Sequence, residues 1–302
     1  MISDNNNALV TWGQVLRISL LPTALADILA GFALAGLSRG EFRIEALLFL
    51  SSALIYHGSM ALNDWVDYKE DCELRPERPL PRGLIQPMDA LRAAGALILV
   101  GISLAATLSL PLGTWMAGIA SLAVGYNVWL RGKFSGPLSL GVCRGMHLAA
   151  PIILLAPDSV GDHAPLLIGY GLYVFALSSL ARLETKTSSE LKATPRILIG
   201  AIAAAFSAPL LLVAVELDAF RGTAVSLLAV LGAGALLKAA LPSGEWTPAR
   251  VQAAVGISLR LLLVYTAATA LTGPQPYAWV AAPVILAGYP LAHGLRKVFP
   301  PT

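Results

Sequence analysis

The chain has 302 residues, 56% hydrophobic and only 13% charged, against roughly 25% charged in an ordinary soluble domain, which excludes a water-soluble globule. A formal net charge of +3 is too small to suggest a nucleic-acid partner. Two cysteines, Cys72 in a charged stretch and Cys143 in an apolar one, exclude a disulfide framework and form no spaced metal-ligand pattern.

The start, MISDNNNALV, has no positive region ahead of its apolar stretch, so the first helix is expected to stay in the mature protein. A hydrocarbon core takes about 20 mainly apolar residues per helix. Stretches of that length recur near 14-36, 44-62, 90-108, 110-129, 137-156, 165-183, 197-215, 222-241, 251-271 and 276-294. These Ala/Leu/Gly-rich runs lack strand-like alternation, so an all-α transmembrane bundle is expected rather than a barrel. Lys238, Arg250 and Arg260 interrupt the later runs, leaving nine or ten spans in a single domain, 1-302, with ten preferred.

Asp27 lies near the middle of the first span, where an unpaired charge costs at least ~2.5 kcal/mol. It either lines a site inside the bundle or locks helix packing through hydrogen bonds. In the second span His57 precedes Asp64 by seven residues and shares its helical face, so it lines a cavity beneath the acidic end or packs there as a neutral ring.

The densest polar chemistry follows: Asn63-Asp64-Trp65-Val66-Asp67-Tyr68-Lys69-Glu70-Asp71. On a continuing helix Asp64, Asp67 and Asp71 fall on one face with Asn63 beside them. Unneutralised they repel, and a magnesium ion, which takes one or two carboxylates together with phosphate oxygens, relieves this. Next comes Arg75-Pro76-Glu77-Arg78-Pro79-Leu80-Pro81-Arg82-Gly83, a proline-stiffened loop able to aim arginine forks at phosphate.

The basic residues also set the orientation. Lys69, Arg75, Arg78, Arg82 and Arg92 fall in one connection, Arg131 and Lys133 in another, and Arg182, Lys186, Lys192 and Arg196 in a third. By the positive-inside rule these are expected in the cytoplasm, and the short acidic connections around Asp158, Asp162, Glu216 and Asp218 outside. The first connection, with Arg39 and Arg43 beside Glu41 and Glu45, fits the outer side less well. Charged loops after the second and sixth spans suggest two related helical halves around a shared centre.

Further along, Tyr126 and Arg131 close the fourth span. In the fifth, Arg144 and His147 stand three apart, and Arg144 either reaches phosphate or snorkels. The loop after the sixth span holds Arg182, Glu184, Lys186 and Glu190 but no aspartate.

NDWVDYKED followed by RPERPLPRG resembles the first aspartate-rich motif and the adjoining arginine-proline segment of the UbiA superfamily of intramembrane prenyltransferases. Arg17, Pro22, Asp27 and Gly31 resemble that family's opening helix, and Tyr126, Asn127 and Arg131 its tyrosine and basic pair. The resemblance implies a helical bundle, usually of nine spans, around a central lipid-accessible cavity with cytoplasmic capping loops. It implies transfer of a prenyl chain from an allylic diphosphate to a lipophilic or aromatic acceptor, with Mg2+ held by Asp64, Asp67 and Asp71. Asn63, Arg75, Arg78, Arg82, Tyr126, Arg131, Arg144, Arg182, Lys186, Asp27 and His57 are the candidate substrate contacts. A second acidic motif is expected after the sixth span, where only Glu184 and Glu190 offer a carboxylate, and Glu184 is the expected second-metal ligand. That departure, with Cys-Arg-Gly-Met-His at 143-147, resembles a UbiA-like subgroup of bacterial and algal Ebo gene clusters. A bacterial inner membrane is the expected location. A membrane transporter or a non-catalytic lipid-binding protein is the alternative function.

Overall fold

The computed structural model describes residues 2–37, 41–241 and 245–300, so Arg39 lies outside it. The described chain is a succession of helices: α1 (Ile2–Val15), α2 (Leu21–Leu34), α3 (Phe42–Val66), α4 (Tyr68–Leu74), α5 (Pro87–Leu108), α6 (Leu110–Val128) and α7 (Ser135–Leu155). Then follow α8 (Ala164–Ala181), α9 (Ser188–Leu191), α10 (Thr194–Ala214), α11 (Ala219–Ala240), α12 (Pro248–Thr272) and α13 (Tyr277–Val298). Prolines in the first turn open α5, α6, α8, α10 and α12, where a missing N–H costs nothing. Side-chain oxygens of Ser109, Asp218 and Thr247 cap α6, α11 and α12.

Eight of these helices are long and apolar enough to cross a membrane, and α1 with α2, bent by 55° at their break, makes nine. The preferred tenth span is α6, which falls outside that set. Its 19 residues reach roughly 28 Å and include Thr114, Ser121, Tyr126 and Asn127. It nonetheless packs between α5 and α7 as part of the bundle.

Helices adjacent in sequence are mostly adjacent in space, while α2 packs against α3, α7, α12 and α13 at once. The first span is therefore the central pillar, and ten of the 14 residues of α2 are buried, with none exposed. Close approach is built from glycine: a Cβ on Gly31 would stand 2.3 Å from the Leu148 carbonyl, and one on Gly141 2.4 Å from that of Gly171. The outward faces carry Leu99, Val100, Ile168, Leu172, Ile197, Leu212, Val230 and Leu231, an apolar exterior suited to lipid.

Near the acidic end of α3 a second, smaller apolar cluster joins Val15, Ala61, Leu62, Leu80, Ile85, Ala90 and Ala94. It clamps the loop after α4 onto α3 and α5.

Candidate active site

The helix through the acidic motif breaks at Asp67, but the break keeps its phase, because Asp67 N–H donates to Asn63 and Asp71 N–H to Asp67. Asp64 and Asp71 are buried and Glu70 is exposed, so the expected face exists. The three carboxylates do not converge on one point, however. Asp64 accepts from Arg17 Nη2 at 2.9 Å, Asp67 is ion-paired with Arg131, and Asp71 accepts from Arg78 at 2.7 Å and from Arg75 at 3.4 Å. Among the described residues no three acidic, histidine or cysteine side chains gather as a ready-made metal cage. Guanidinium groups provide the neutralisation instead.

The loop that supplies two of them is shaped by Gly83, whose φ of +71° is a left-handed turn, and by the Leu84 N–H donating to the Pro79 carbonyl. With Leu80 and Ile85 plugged into the small apolar cluster, Arg78 is turned inward to 8% exposure. Arg82 stays exposed and, unlike Arg78, does not line the pocket where it was expected.

Between these elements lies a cavity of about 350 Å³ lined by Arg17, Asn63, Asp67, Arg75, Arg78, Tyr126, Arg131 and Arg182. Five guanidinium groups and one carboxylate make it an anion site. One edge of Arg131, at Nη2, is buried without a protein partner. Arg182 caps the C-terminal end of α8 and donates to the Arg131 carbonyl at 3.0 Å.

The other residues expected from that loop are elsewhere. Glu184 lines none of the cavities described, and burial pushes its carboxyl above the usual range. Lys186 pairs with Glu190 at 3.1 Å, and Glu190 also accepts from the Thr187 N–H and hydroxyl at 2.9 Å. These contacts hold the Glu190 carboxyl down at about 2. The turn after α8 leaves both acids outside the lining of the pocket, although Glu184 was the expected second-metal ligand.

Below the anion site opens a cavity of about 380 Å³ that shares Arg17, Asn63 and Tyr126 with it. Along α3 its wall is Ser52, Tyr56, Ser59 and Asn63. Asn127, Cys143, Arg144 and His147 add polarity, while Ile119, Leu140, Val174, Leu177, Val255 and Leu262 make the remainder apolar. Of this stripe only Asn63 is a sequence candidate; Ser52, Tyr56 and Ser59 are not, although their helical spacing within an apolar run signals them.

At the far end, Asp27 is fully buried and is a hub of packing rather than a lining residue. It accepts from Arg144 Nη1 at 2.6 Å and from the Tyr170 hydroxyl at 2.6 Å. His147 stands between it and Ser52, with Nδ1 at 3.2 Å from Asp27 and Nε2 at 2.7 Å from the Ser52 hydroxyl. Arg144 faces the cavity from this network, about 12 Å along α7 from Gly136, and does not line the anion pocket. His57 takes the packing alternative: its Nδ1 meets the Leu16 carbonyl at 2.6 Å beside the α1–α2 bend.

The chain is similar to known proteins in sequence and in fold. Digeranylgeranylglyceryl phosphate synthase of Thermococcus gammatolerans is 43% identical over 70 residues, 23% of this chain and 25% of that protein. The 4-hydroxybenzoate octaprenyltransferase of Ralstonia nicotianae is 35% identical over 128 residues, 40% of this chain and 41% of that protein. The chain thus spans between a quarter and about two fifths of the length of these curated relatives. In fold, it resembles a UbiA homolog from Archaeoglobus fulgidus bound to GPP and Mg2+, with TM-score 0.57, 16% identity, and coverage of 86% of this chain and 99% of that one. A UbiA homolog from Aeropyrum pernix K1 aligns with TM-score 0.60 at 17% identity over 84% of this chain and 97% of that one. Residues 24–241, which hold α3 to α11 and every lining residue of the anion pocket except Arg17, match the UbiA prenyltransferase family, and the chain belongs to it.

Proposed function

We propose that this multi-pass membrane protein moves an isoprenoid chain from an allylic diphosphate to a lipophilic or aromatic acceptor. The observation that carries the reading is the shared wall: Arg17, Asn63 and Tyr126 border both the arginine-lined pocket and the largely apolar cavity. A prenyl diphosphate has the same division into an anionic head and an apolar chain.

In this reading the diphosphate sits among Arg17, Arg75, Arg78, Arg131 and Arg182. The bond between C1 of the prenyl chain and the bridging oxygen breaks, its electron pair goes to the pyrophosphate, and the guanidinium groups stabilise the charge that develops. The allylic cation is shielded from water by the apolar wall and is captured by an electron pair of the acceptor, which then releases a proton. Asp67 and Asn63 face the pocket and Asp64 lies one turn earlier, a set of hard oxygen donors that suits one magnesium. Magnesium, when bound, supplies Lewis-acid neutralisation of the leaving pyrophosphate. Asp64 and Asp67, now paired with Arg17 and Arg131, would hold the ion, and the two guanidinium groups would then be free for phosphate. In this reading the connections that carry the basic clusters, with the Asp64 to Asp71 run, face the cytoplasm of a bacterial inner membrane.

The test is pyrophosphate release from geranyl, farnesyl or geranylgeranyl diphosphate by purified protein with and without magnesium, followed by an acceptor screen by mass spectrometry. Release that depends on magnesium is expected. Binding without release in any acceptor mixture would favour the non-catalytic lipid-binding alternative, and no binding would remove both.

A further inference from the structure

We propose that Arg182 takes the place of a second metal ion, so that the site works with one magnesium and one fixed guanidinium. The inference rests on the prenyl-transfer reading and deepens it.

Arg182 is held where the loop after α8 meets the pocket. Its backbone is the C-cap of α8, an end whose unpaired carbonyls favour a cation and disfavour a carboxylate. Its Nη2 donates to the Arg131 carbonyl at 3.0 Å. On the other side it passes Gly136, where a Cβ would stand 3.0 Å from Nη1, so the glycine leaves room for the guanidinium. The positive group is therefore placed by three elements, α8, the turn after α6 and the first turn of α7.

The loop's two acids are accounted for elsewhere. Glu190 uses both carboxylate oxygens on Thr187 and Lys186, and Glu184 does not line the pocket. Charge balance points the same way. Five lining guanidiniums set against Asp67 and the paired carboxylates Asp64 and Asp71 leave a surplus of two positive charges. A prenyl diphosphate brings roughly three negative charges near neutral pH. One magnesium then leaves a surplus of about one positive charge, whereas two would leave about three in a partly buried pocket.

The experiment counts metal ions rather than turnovers. Full-length protein in nanodiscs is saturated with geranyl S-thiolodiphosphate, whose carbon–sulfur bond resists cleavage, and bound Mn2+ is counted by electron paramagnetic resonance. One manganese per bound ligand is expected for the wild type, and two for Arg182→Asp, which returns an anionic ligand to the loop. Arg182→Gln should keep one manganese and bind the ligand at least about tenfold more weakly, with Arg182→Lys recovering part of the loss. Two manganese ions in the wild type overturn the inference while leaving prenyl transfer intact, and this count stands even if the variants fold poorly. No ligand binding at all overturns the prenyl-transfer reading and this inference with it.

Discussion

Arg17 reaches Asp64 across 2.9 Å from a backbone held at φ 53° and ψ 47°, the left-handed region that residues with a Cβ avoid. The same guanidinium nitrogen meets Asn63 Oδ1 at 3.1 Å. Strain of about 1–3 kcal/mol persists only where the surroundings fix it, and here the α1–α2 bend and the acidic end of α3 do so.

Two substitutions at this position separate the backbone from the charge. Arg17→Gly relaxes the left-handed residue and Arg17→Ala does not, although both leave Asp64 without its partner. Arg17→Gly should melt at a higher temperature than Arg17→Ala, by about 1 kcal/mol of stability, while both lose geranyl diphosphate affinity to the same extent. Thermal denaturation in detergent and a binding titration check this, and the reverse order of melting would rule out backbone strain at Arg17.

Asp67→Asn exchanges a pocket-lining charge for an amide of nearly equal volume. Magnesium-supported binding of geranyl diphosphate should fall by about tenfold or more. Glu70→Gln, on the exposed face, and Glu184→Gln, outside the pocket, should bind as wild type. Isothermal titration over a magnesium series reads all three, and equal loss in Glu70→Gln would show that the effect is general surface charge.

The loop after α8 should respond to acid through Glu190. Its carboxyl titrates at about 2 instead of 4.5 because the Thr187 N–H and hydroxyl and Lys186 stabilise the charged form. A lowered folded value means that the stabilisation is complete above pH 4.5 and disappears as pH falls toward 2. The melting difference between wild type and Glu190→Gln should therefore be constant above pH 4.5 and shrink below it. A difference that grows on acidification contradicts the assignment.

Gly141→Ala places a methyl 2.4 Å from the Gly171 carbonyl and should cost about 1–3 kcal/mol by spreading α7 from α8. Gly95→Ala, with nothing within 4 Å, should be neutral or slightly stabilising. Survival on heating, followed by size-exclusion chromatography, distinguishes the two.

A cysteine at Lys69 should be shielded from an impermeant maleimide in intact cells and react after permeabilisation if the basic connection faces inward as proposed. Labelling of intact cells would invert the orientation.

The spans and the acidic run are legible in the sequence because each depends on local properties, apolar length in one and helical phase in the other. The phase places Asp64, Asp67 and Asp71 inward and Glu70 outward despite the break at Asp67. What is not legible is which cation meets which carboxylate, because Arg17 and Asp64 lie 47 residues apart and Arg131 and Asp67 64. Arg78 and Arg82 look equivalent in RPERPLPRG, and only the fold of the loop onto Leu80 and Ile85 turns one in and leaves the other out. Glu184 was assigned by its place in the chain, and the trace beyond the end of α8 carries it away from the pocket.

The hub at Asp27 also bears on how the protein is made. Its arginine partner is 117 residues downstream and its tyrosine partner 143. At a ribosomal pace of 5–20 residues per second, Arg144 emerges roughly 6 to 23 seconds after Asp27. Throughout that interval the first helix carries a carboxyl group whose final partners do not yet exist, at a depth where an unpaired charge is costly. The central pillar therefore cannot complete its own contacts when it is synthesised. Maturation of the bundle waits for the fifth and sixth spans, and ribosome-bound chains that end before Arg144 hold the first helix without its lock.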